Sequence, residues 1–433
     1  MKGMRLSALA AAVLATVSVS VQADFLNDSS LDIKLRNVHF DVKTDTPGND
    51  WSQWAQGVQA NFKSGYISDA IGFDASYYGA LKLNHTGKDP FSSTMDGGQL
   101  LTKDYKSYHK FGQAYLKAKF GDEQQGFYGQ AGYMSGQKGL ILGSGSRSTP
   151  SSYRGAHGEV YVQDFTVYGT YVDRISMRTE NSWDEFKTKS GDTIKHAWQV
   201  GTLYQANNVD AEVVHLQSKG FHKQSMLNLG YTFDLAENTS LIVSGNYHYA
   251  KGSGSIWNNN LNDKKESLNA FDDKASHLNL NTELKLGGLG LKLSYATTDA
   301  EKKGGLGYLK YTYCDNEYGA SPSAVSRYWS DFMFDGEKVL QVQGSYDFAD
   351  LNVPGLNVSL TYTDGSDIKD QGSDKMTGEN ETDLIISYAV QEGTFKGVSF
   401  RAIKAWHTEK YDTKKDIESE HLRVYLDYTV KVF

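Results

Sequence analysis

The sequence predicts an all-β fold: a closed antiparallel transmembrane β-barrel of eighteen strands, with short periplasmic turns and long extracellular loops. Three observations lead there. Apolar and polar residues alternate with period two along most of the chain, connections alternate between short and long, and the composition is polar and aromatic at once. The 433 residues include 43 Gly, 28 Tyr, 19 Phe and 7 Trp but only 5 Pro. Mean hydropathy is −0.52, too low for a bundle of membrane helices, and the chain holds only one long apolar run.

That run opens the chain. Lys2 and Arg5 precede an apolar, small-residue stretch from Leu6 to Val21, and Val21-Gln22-Ala23 supplies small residues at a cleavage site. This is the pattern of a secretory signal, and the stretch falls short of the ~20 residues a spanning helix needs. Residues 1–23 are therefore expected to be removed, leaving residues 24–433 as one barrel domain with no helical span.

The strands follow in order. In Leu31–Phe40, Leu31, Ile33 and Leu35 oppose Asp32, Lys34 and Arg36. In Ile71–Leu83, Ile71, Phe73, Ala75, Tyr77, Leu81 and Leu83 share one phase against Gly72, Asp74, Ser76 and Lys82. Met226–Leu235 repeats the pattern, and in Leu278–Leu286 the polar phase is Asn279, Asn281, Glu283 and Lys285. Leu340–Phe348, Leu356–Tyr362 and Leu422–Val432 complete the clear cases. Successive side chains of a strand point to opposite faces, so each segment has one apolar and one polar surface.

The connections fix the architecture. Gly121–Gly126, Asn207-Asn208, Ala236–Thr239, Gly287-Gly288, Ala349–Gly355 and Gln391–Gly397 are short. Asp41–Gln53, Asn84–Ser107, Ser135–Tyr153, Arg178–Ile194, Lys251–Lys274, Asp299–Gly336 and Asp364–Glu381 are long and polar. Tight turns at one end and long loops at the other are the signature of a barrel that spans a membrane. Eighteen strands over residues 24–433 leave about 23 residues per strand and connection, room for ~10-residue spans. The low hydropathy then has a cause: the apolar phase faces lipid and the polar phase a wet lumen. A soluble β-propeller also alternates, but no repeat of 40–50 residues is visible.

Function classes narrow accordingly. The chain is acidic, with 44 Lys+Arg against 52 Asp+Glu, which argues against a nucleic-acid partner. The single cysteine, Cys314 in the longest loop, excludes an internal disulfide or a multi-cysteine metal site and reads as structural. No Gly-x-Ser-x-Gly, His-Glu-x-x-His, phosphate loop or EF-hand spacing occurs, so no enzyme, catalytic residue, metal or cofactor is expected. Asp364, Asp367, Asp370 and Asp374 read as a solvated surface loop. Barrels of 16–18 strands leave an aqueous channel. In the fifth connection, SGQKGLILGSGSRSTPSSYRGA (Ser135–Ala156), Arg147, Tyr153 and Arg154 offer charge and an aromatic face. Folded inward they would constrict the pore; folded outward they would sit on an exposed loop, and both remain open at this stage.

The chain also resembles the OprD family of outer-membrane porins, and within it the chitoporin branch. The resemblance rests on DFLNDSSL (Asp24–Leu31), FKSGYISDAIGFDASYYGALKL (Phe62–Leu83), Ala131–Ala156 and SDFMFDGEKVLQVQGSYDFADLNVPGLNVSLTY (Ser330–Tyr362). It implies an 18-stranded barrel in the outer membrane of a Gram-negative bacterium, monomeric or alternatively trimeric, with the third extracellular loop narrowing the pore. It further implies partners in outer-membrane lipid, lipopolysaccharide, the barrel assembly machinery and small hydrophilic solutes that diffuse passively. Phe433 matches the family's terminal aromatic, but Leu422, Val424, Leu426, Tyr428, Val430 and Val432 set the opposite phase.

Strand phase assigns Lys34, Arg36, Lys82, Lys117, Lys119 and Lys285 to the lumen as its basic groups, with Lys63, Lys292 and Arg423 beside them. Asp32, Asp74 and Glu283 are the acidic ones, with Asp427. A wall of mixed sign suits neutral sugars, and the loop aromatics Trp51, Trp183, Trp257 and Trp329, with Tyr328, could stack on sugar rings. The residues thus lean to chitooligosaccharides or related sugars. A channel for carboxylates or basic amino acids is the alternative, and a non-conducting structural or adhesin barrel a third.

Overall fold

The structure, a computed structural model, describes residues 25, 27–89, 99–136, 138–261, 268–316 and 319–433. The expected export signal at residues 1–23 lies outside the described residues. Within them, twenty strands form: β1 Ser30–Thr44, β2 Trp51–Lys63, β3 Ile71–Thr86, β4 Tyr108–Gly121, β5 Gln125–Met134, β6 Ser152–Val162, β7 Phe165–Ser176, β8 Phe186–Lys187, β9 Thr193–Ile194, β10 Ala197–Ala206, β11 Val209–Ser218, β12 His222–Ala236, β13 Thr239–Gly252, β14 Lys274–Leu286, β15 Leu289–Asp299, β16 Lys338–Asp347, β17 Leu356–Ser366, β18 Met376–Ala389, β19 Ser399–Tyr411 and β20 Ile417–Lys431. The short β8 and β9 pair only with each other; the other eighteen make one antiparallel sheet.

The sheet closes. β1 pairs with β2 on one side and with β20 on the other, in register from Asp32↔Lys431 to Thr44↔Ser419. β7 pairs directly with β10 across the β8–β9 insertion. Leu31 N–H donates to Phe433 O at 3.1 Å and Val432 N–H to Leu31 O at 2.8 Å, so both chain ends meet at the short-turn rim. Phe433 lies just past β20 and is exposed, which is how it escapes the phase of Val432. Closure leaves no strand edge, the condition for burying backbone in hydrocarbon.

The turns are as tight as the sequence implied. Asn207 and Asn208 take φ of 49° and 67°, the left-handed pair that a two-residue hairpin turn needs and asparagine tolerates. The nine connections at the opposite, extracellular end are L1 (45–50), L2 (87–107), L3 (135–151), L4 (177–196), L5 (219–221), L6 (253–273), L7 (300–337), L8 (367–375) and L9 (412–416). L5 and L9 are short, so the long-loop rule is a tendency of that end.

Outward residues are apolar and exposed: Leu116, Phe111, Leu229, Leu293, Leu340 and Leu360 among them. Rings concentrate near both ends, with Phe120, Phe127, Phe165 and Phe233 at the short-turn end and Trp54, Tyr171, Tyr295 and Trp406 towards the loops. These are the two interfacial girdles. The interior departs from the simple inversion. In its loop-side half, inward positions turn apolar where loops pack on the wall: Val38, Phe40, Val42 and Tyr425 with Leu100 and Leu101 of L2, and Met134, Tyr153, Val172 and Leu216 with Phe186, Phe271, Leu309 and Met333. Cys314 is fully buried in this second cluster. The barrel's core is thus loop against wall.

Leu293, outward and near mid-height of β15, tests the orientation. Leu293→Arg should cost about 2–4 kcal/mol of unfolding free energy in bilayers, whereas lumen-facing Ser345→Arg should stay within about 1 kcal/mol. Urea titration in vesicles distinguishes them, and equal costs would contradict the assigned faces.

Candidate functional site: a lumen narrowed by two loops

L3 crosses the barrel. At its start, Leu140 N–H (2.8 Å) and Ile141 N–H (3.1 Å) donate to Gln199 Oε1 on β10, and Gln199 Nε2 donates to Lys138 O at 2.7 Å. Beyond it, Arg36 of β1 donates from Nη1 to Gly145 O at 2.9 Å and Arg147 O at 3.2 Å. Gln59 of β2 donates to Ser148 O at 3.2 Å, and Tyr425 of β20 to Ser146 O at 3.1 Å. Arg36 also grips Asp427 of β20 in a fork, Nε–Oδ1 2.7 Å and Nη2–Oδ2 2.8 Å. L3 approaches β2 so closely that a Cβ on Gly57 would stand 2.5 Å from Ser148 O. Only glycine fits there.

L7 enters as well. His277 Nε2 and Ser323 Oγ are 2.8 Å apart, and Ser218 Oγ donates to Tyr313 O at 2.6 Å. Its tip is caught by acids on the inward phase of β18. The fully buried Glu381 carboxylate accepts from Tyr328 N at 2.9 Å, Trp329 N at 3.0 Å and Ser330 N at 3.1 Å. Glu379 accepts from Ser330 Oγ (2.6 Å) and pairs with His407 Nε2 (2.8 Å); Asp383 holds Arg327 Nε at 2.5 Å. Arg423 of β20 donates to Tyr328 O at 2.5 Å. Three convergent donors on Glu381 and two on Glu379 fix the loop tip in direction as well as position.

Between L3 and L7 lies a cavity of about 530 Å³. Its cations are Arg147, Arg178, Lys189, Lys310, Arg327 and Arg423, its carboxylates Asp315 and Asp331, and its rings include Tyr308, Tyr311, Tyr328 and Trp329. Arg147 donates to Gln99 Oε1 at 2.8 and 2.6 Å and lies 5.0 Å from the Phe40 ring centre. Arg178 donates to Ser144 Oγ at 3.0 Å. Lys310 and Asp315 pair at 2.6 Å; burial works against the Lys310 charge, but Asp315 together with Tyr308 and Cys314 offsets it and leaves the pKa raised. Burial pushes the Asp331 carboxyl up, despite hydrogen bonds from Ser326 Oγ and Tyr311 Oη.

The structure sorts the sequence-derived candidates. Arg147, Trp329 and Trp51 line the cavity. Arg154 does not: it pairs in register with Tyr133, on the outward phase of Ala156 and Val160, and forks onto Asp173, with Nε–Oδ1 at 2.8 Å. Tyr153 points inward but is fully buried, 6.1 Å from the Tyr313 ring, so it packs and lines no opening. Trp51 is the first residue of β2 and buried. Trp183 packs at 4.4 Å on Tyr133, on the barrel's outer side. Trp257 is fully buried in the helix Ser255–Leu261 of L6. Two of the four tryptophans, Trp183 and Trp257, thus lie away from the cavity.

Wall residues fall in pairs. Lys117 meets Asp74 at 2.7 Å, and Lys119 lies over Tyr66 at 4.4 Å, near the periplasmic end. Lys34 and Asp32 are half-buried below Arg36. Lys285 stands exposed 3.8 Å from Glu283. Lys82 is exposed at the extracellular rim, 3.4 Å from His85 Nδ1. Each carboxylate of the 364–374 region has a local use: Asp364 with Lys410, Asp367 with Lys338, Asp374 with Lys414, and Asp370 capping Gly372 and Met376 N–H. No group of three or more metal-ligating side chains occurs among the described residues.

Comparison with known proteins matches the geometry. The family described as outer membrane porin, OprD family, covers residues 23–432. Porin D of Pseudomonas aeruginosa is 27% identical over 467 residues, spanning 100% of both chains. Among solved structures, Acinetobacter baumannii OccAB1 superposes with TM-score 0.79 at 21% identity, over 94% of this chain and 98% of that one. Pseudomonas aeruginosa OccK9 (OpdG) gives TM-score 0.76 at 18% identity, over 94% and 100%. These two speak for the fold alone.

If L3 is seated on Gly57, Gly57→Leu must displace it, while Gly344→Leu, with nothing within 4 Å of its Cβ, should change nothing. Single-channel conductance should shift by about twofold or more in the first variant, the scale expected of a moved constriction. Indistinguishable currents in the two variants would remove L3 from the constriction.

Proposed function

The chain belongs to the OprD family of outer membrane porins, set in the outer membrane of a Gram-negative bacterium, and from that premise we propose that it admits small carboxylate-bearing solutes by passive diffusion through the cavity between L3 and L7. The observation that carries this reading is the excess of cations there, six side chains against two carboxylates; with Lys310 paired to Asp315 and Arg327 to Asp383 behind the lining, four cations still face one carboxylate. In a confined space of low dielectric such an excess raises the local concentration of anions. Arginine's planar fork also suits a carboxylate, giving orientation as well as attraction. Tyr308, Tyr311, Tyr328 and Trp329 add flat faces, which favours an aromatic or ring-bearing acid. Passage involves no bond making, so fixed charge and aperture are the whole mechanism.

Chitooligosaccharides or related sugars form the second reading, favoured by the same four rings. Trp51 also borders the cavity, though largely buried, whereas Trp183 and Trp257 do not line it and lend this reading no support.

Reversal potentials in a tenfold KCl gradient should show anion preference. Arg147→Ala and Arg423→Ala should each lower the permeability ratio by about twofold or more, and Arg154→Ala, on the outer wall, should leave it unchanged. Liposome swelling should be faster with benzoate or vanillate than with chitobiose. Cation preference, or block by chitohexaose without effect of benzoate, would replace this reading with the sugar one.

The Asp331 carboxyl, raised by burial, sets a pH dependence. It is charged well above its pKa and neutral below, so protonation on acidification removes a negative charge and strengthens anion preference. Acidification from neutral pH should therefore increase the anion-to-cation ratio, the rise setting in at a higher pH than an ordinary carboxyl would give, and Asp331→Asn should hold it at the acidic value throughout. A ratio that falls on acidification contradicts the assignment.

A further inference from the structure

Three lysines stand side by side on the outside of the barrel. Lys223 of β12 lies directly opposite Lys251 of β13, and Lys251 directly opposite Lys274 of β14. All three are exposed and fall on the outward phase, because their neighbours Gln224, Ala250 and Ala275 are buried inward. Facing residues on adjacent antiparallel strands place Cβ atoms about 4.5–5.5 Å apart, and like charges so placed repel. None of the three has an ion-pair partner among the described residues. Two other outward cations towards this rim do have one: Lys338 meets Asp367 at 2.9 Å, and Lys404 meets Glu420 at 2.5 Å. Asp299 of β15 shares the outward phase but faces Ser276, two residues along β14 from Lys274, and so stands diagonal to the row's end. The row is thus a concentration of positive charge that the protein itself leaves unbalanced.

Its height is defined by the strand. Below Lys223 on the same phase, Leu227, Leu229, Tyr231, Phe233 and Leu235 are exposed and apolar. That run covers about 26 Å of strand at ~3.3 Å per residue, or about 20 Å along the membrane normal at a ~40° tilt, most of the ~25 Å apolar band. Lys223 lies four residues past Leu227, about 13 Å further along, at the level of the outer leaflet's head groups. A lysine row there faces anionic head groups with little choice of other partner.

We infer that Lys223, Lys251 and Lys274 form a binding site for the phosphates of lipid A, the membrane anchor of lipopolysaccharide. One phosphate between two neighbouring ammonium groups relieves the repulsion of the row, so the site is stabilised by its ligand and strained without it. The lysines hold point charges on flexible stems, suited to a phosphate whose position is set by the acyl chains against the apolar band. This inference rests on the outer-membrane setting and is independent of the solute that crosses the lumen.

The test uses the whole barrel in phosphatidylcholine nanodiscs, with bis-phosphorylated hexa-acyl lipid A, its dephosphorylated form and inorganic phosphate as probes. Native mass spectrometry reads bound lipid, and thermal melting reads stability. The bis-phosphorylated lipid should bind the wild type and raise its melting temperature, the dephosphorylated lipid should bind at least about tenfold more weakly, and inorganic phosphate should do little, since one charge-assisted hydrogen bond accounts for that factor. The K223Q/K251Q/K274Q variant should lose affinity by the same factor yet melt higher than wild type without lipid A, and the Lys→Arg triple should bind as wild type does. Equal binding of the two lipid A forms to the wild type would overturn the proposal even if the glutamine variant failed to fold. So would wild-type affinity in that variant, or an equal shift with inorganic phosphate. Conductance should be the same in all three proteins; a change in the glutamine triple would place the row in the permeation path and overturn its assignment to the lipid face.

Discussion

Hydrocarbon offers no partner to a peptide group, and that constraint organises the molecule from the seam outward. A sheet of eighteen strands survives in a bilayer only if its first and last strands pair, as β1 and β20 do over their lengths. Arg36 and Asp427 face each other across that seam at mid-height, joined by two short bonds. The side chains are mostly buried, 10% and 22% exposed. A pair so desolvated contributes little net stability, but removing one member leaves a buried charge, at about 3–5 kcal/mol. The remaining donor of Arg36 turns to the carbonyls of Gly145 and Arg147. The closure of the barrel and the position of L3 therefore share one guanidinium.

L7 follows the same logic with the signs exchanged. Here the wall supplies carboxylates, Glu379, Glu381 and Asp383 on alternate positions of β18, and the loop supplies backbone N–H groups and Arg327. Two loops fixed on neighbouring stretches of wall, with β20 touching both, leave an opening whose residues hold their places. A selective pore requires that fixity, because a charge that wanders by a few ångströms in a wet channel is screened and discriminates poorly.

The fold was legible because period two and turn chemistry are local. Asn207-Asn208 and Gly287-Gly288 announce their turns without reference to the rest of the chain, and the outward phase of β3 or β12 can be read from residues ten positions apart. The site was less so. Trp51 looked like a loop residue because Asp41–Gln53 is polar, yet the strands extend to Thr44 and from Trp51, as the inward trio Val38, Phe40 and Val42 needs cover from Leu100 and Leu101. Arg154 lies one residue from Tyr153, and a single step along a strand reverses the face; phase there is settled by the Tyr133 pairing, which no local pattern discloses. One signal was present and unused: Glu379-Asn380-Glu381-Thr382-Asp383 puts three acids on one phase of a strand. Three buried carboxylates require donors, and apart from His407 of the neighbouring strand those that arrive come from the inserted loop. Arg178, Lys310 and Arg327, carried to the cavity by L4 and L7, could not be placed until those loops were.

The central claim is that L3 lies against the β1–β2–β20 wall in the conducting protein. Cysteines at Gln59 and Ser148, whose side chain and carbonyl are 3.2 Å apart, can be bridged by a short thiol-reactive linker in a Cys314→Ser background and single-channel current recorded before and after. An open-channel conductance unchanged by the bridge is the predicted result. Loss of current, or a large step in conductance on bridging, would mean that solutes pass only when L3 leaves the wall, and would contradict the account.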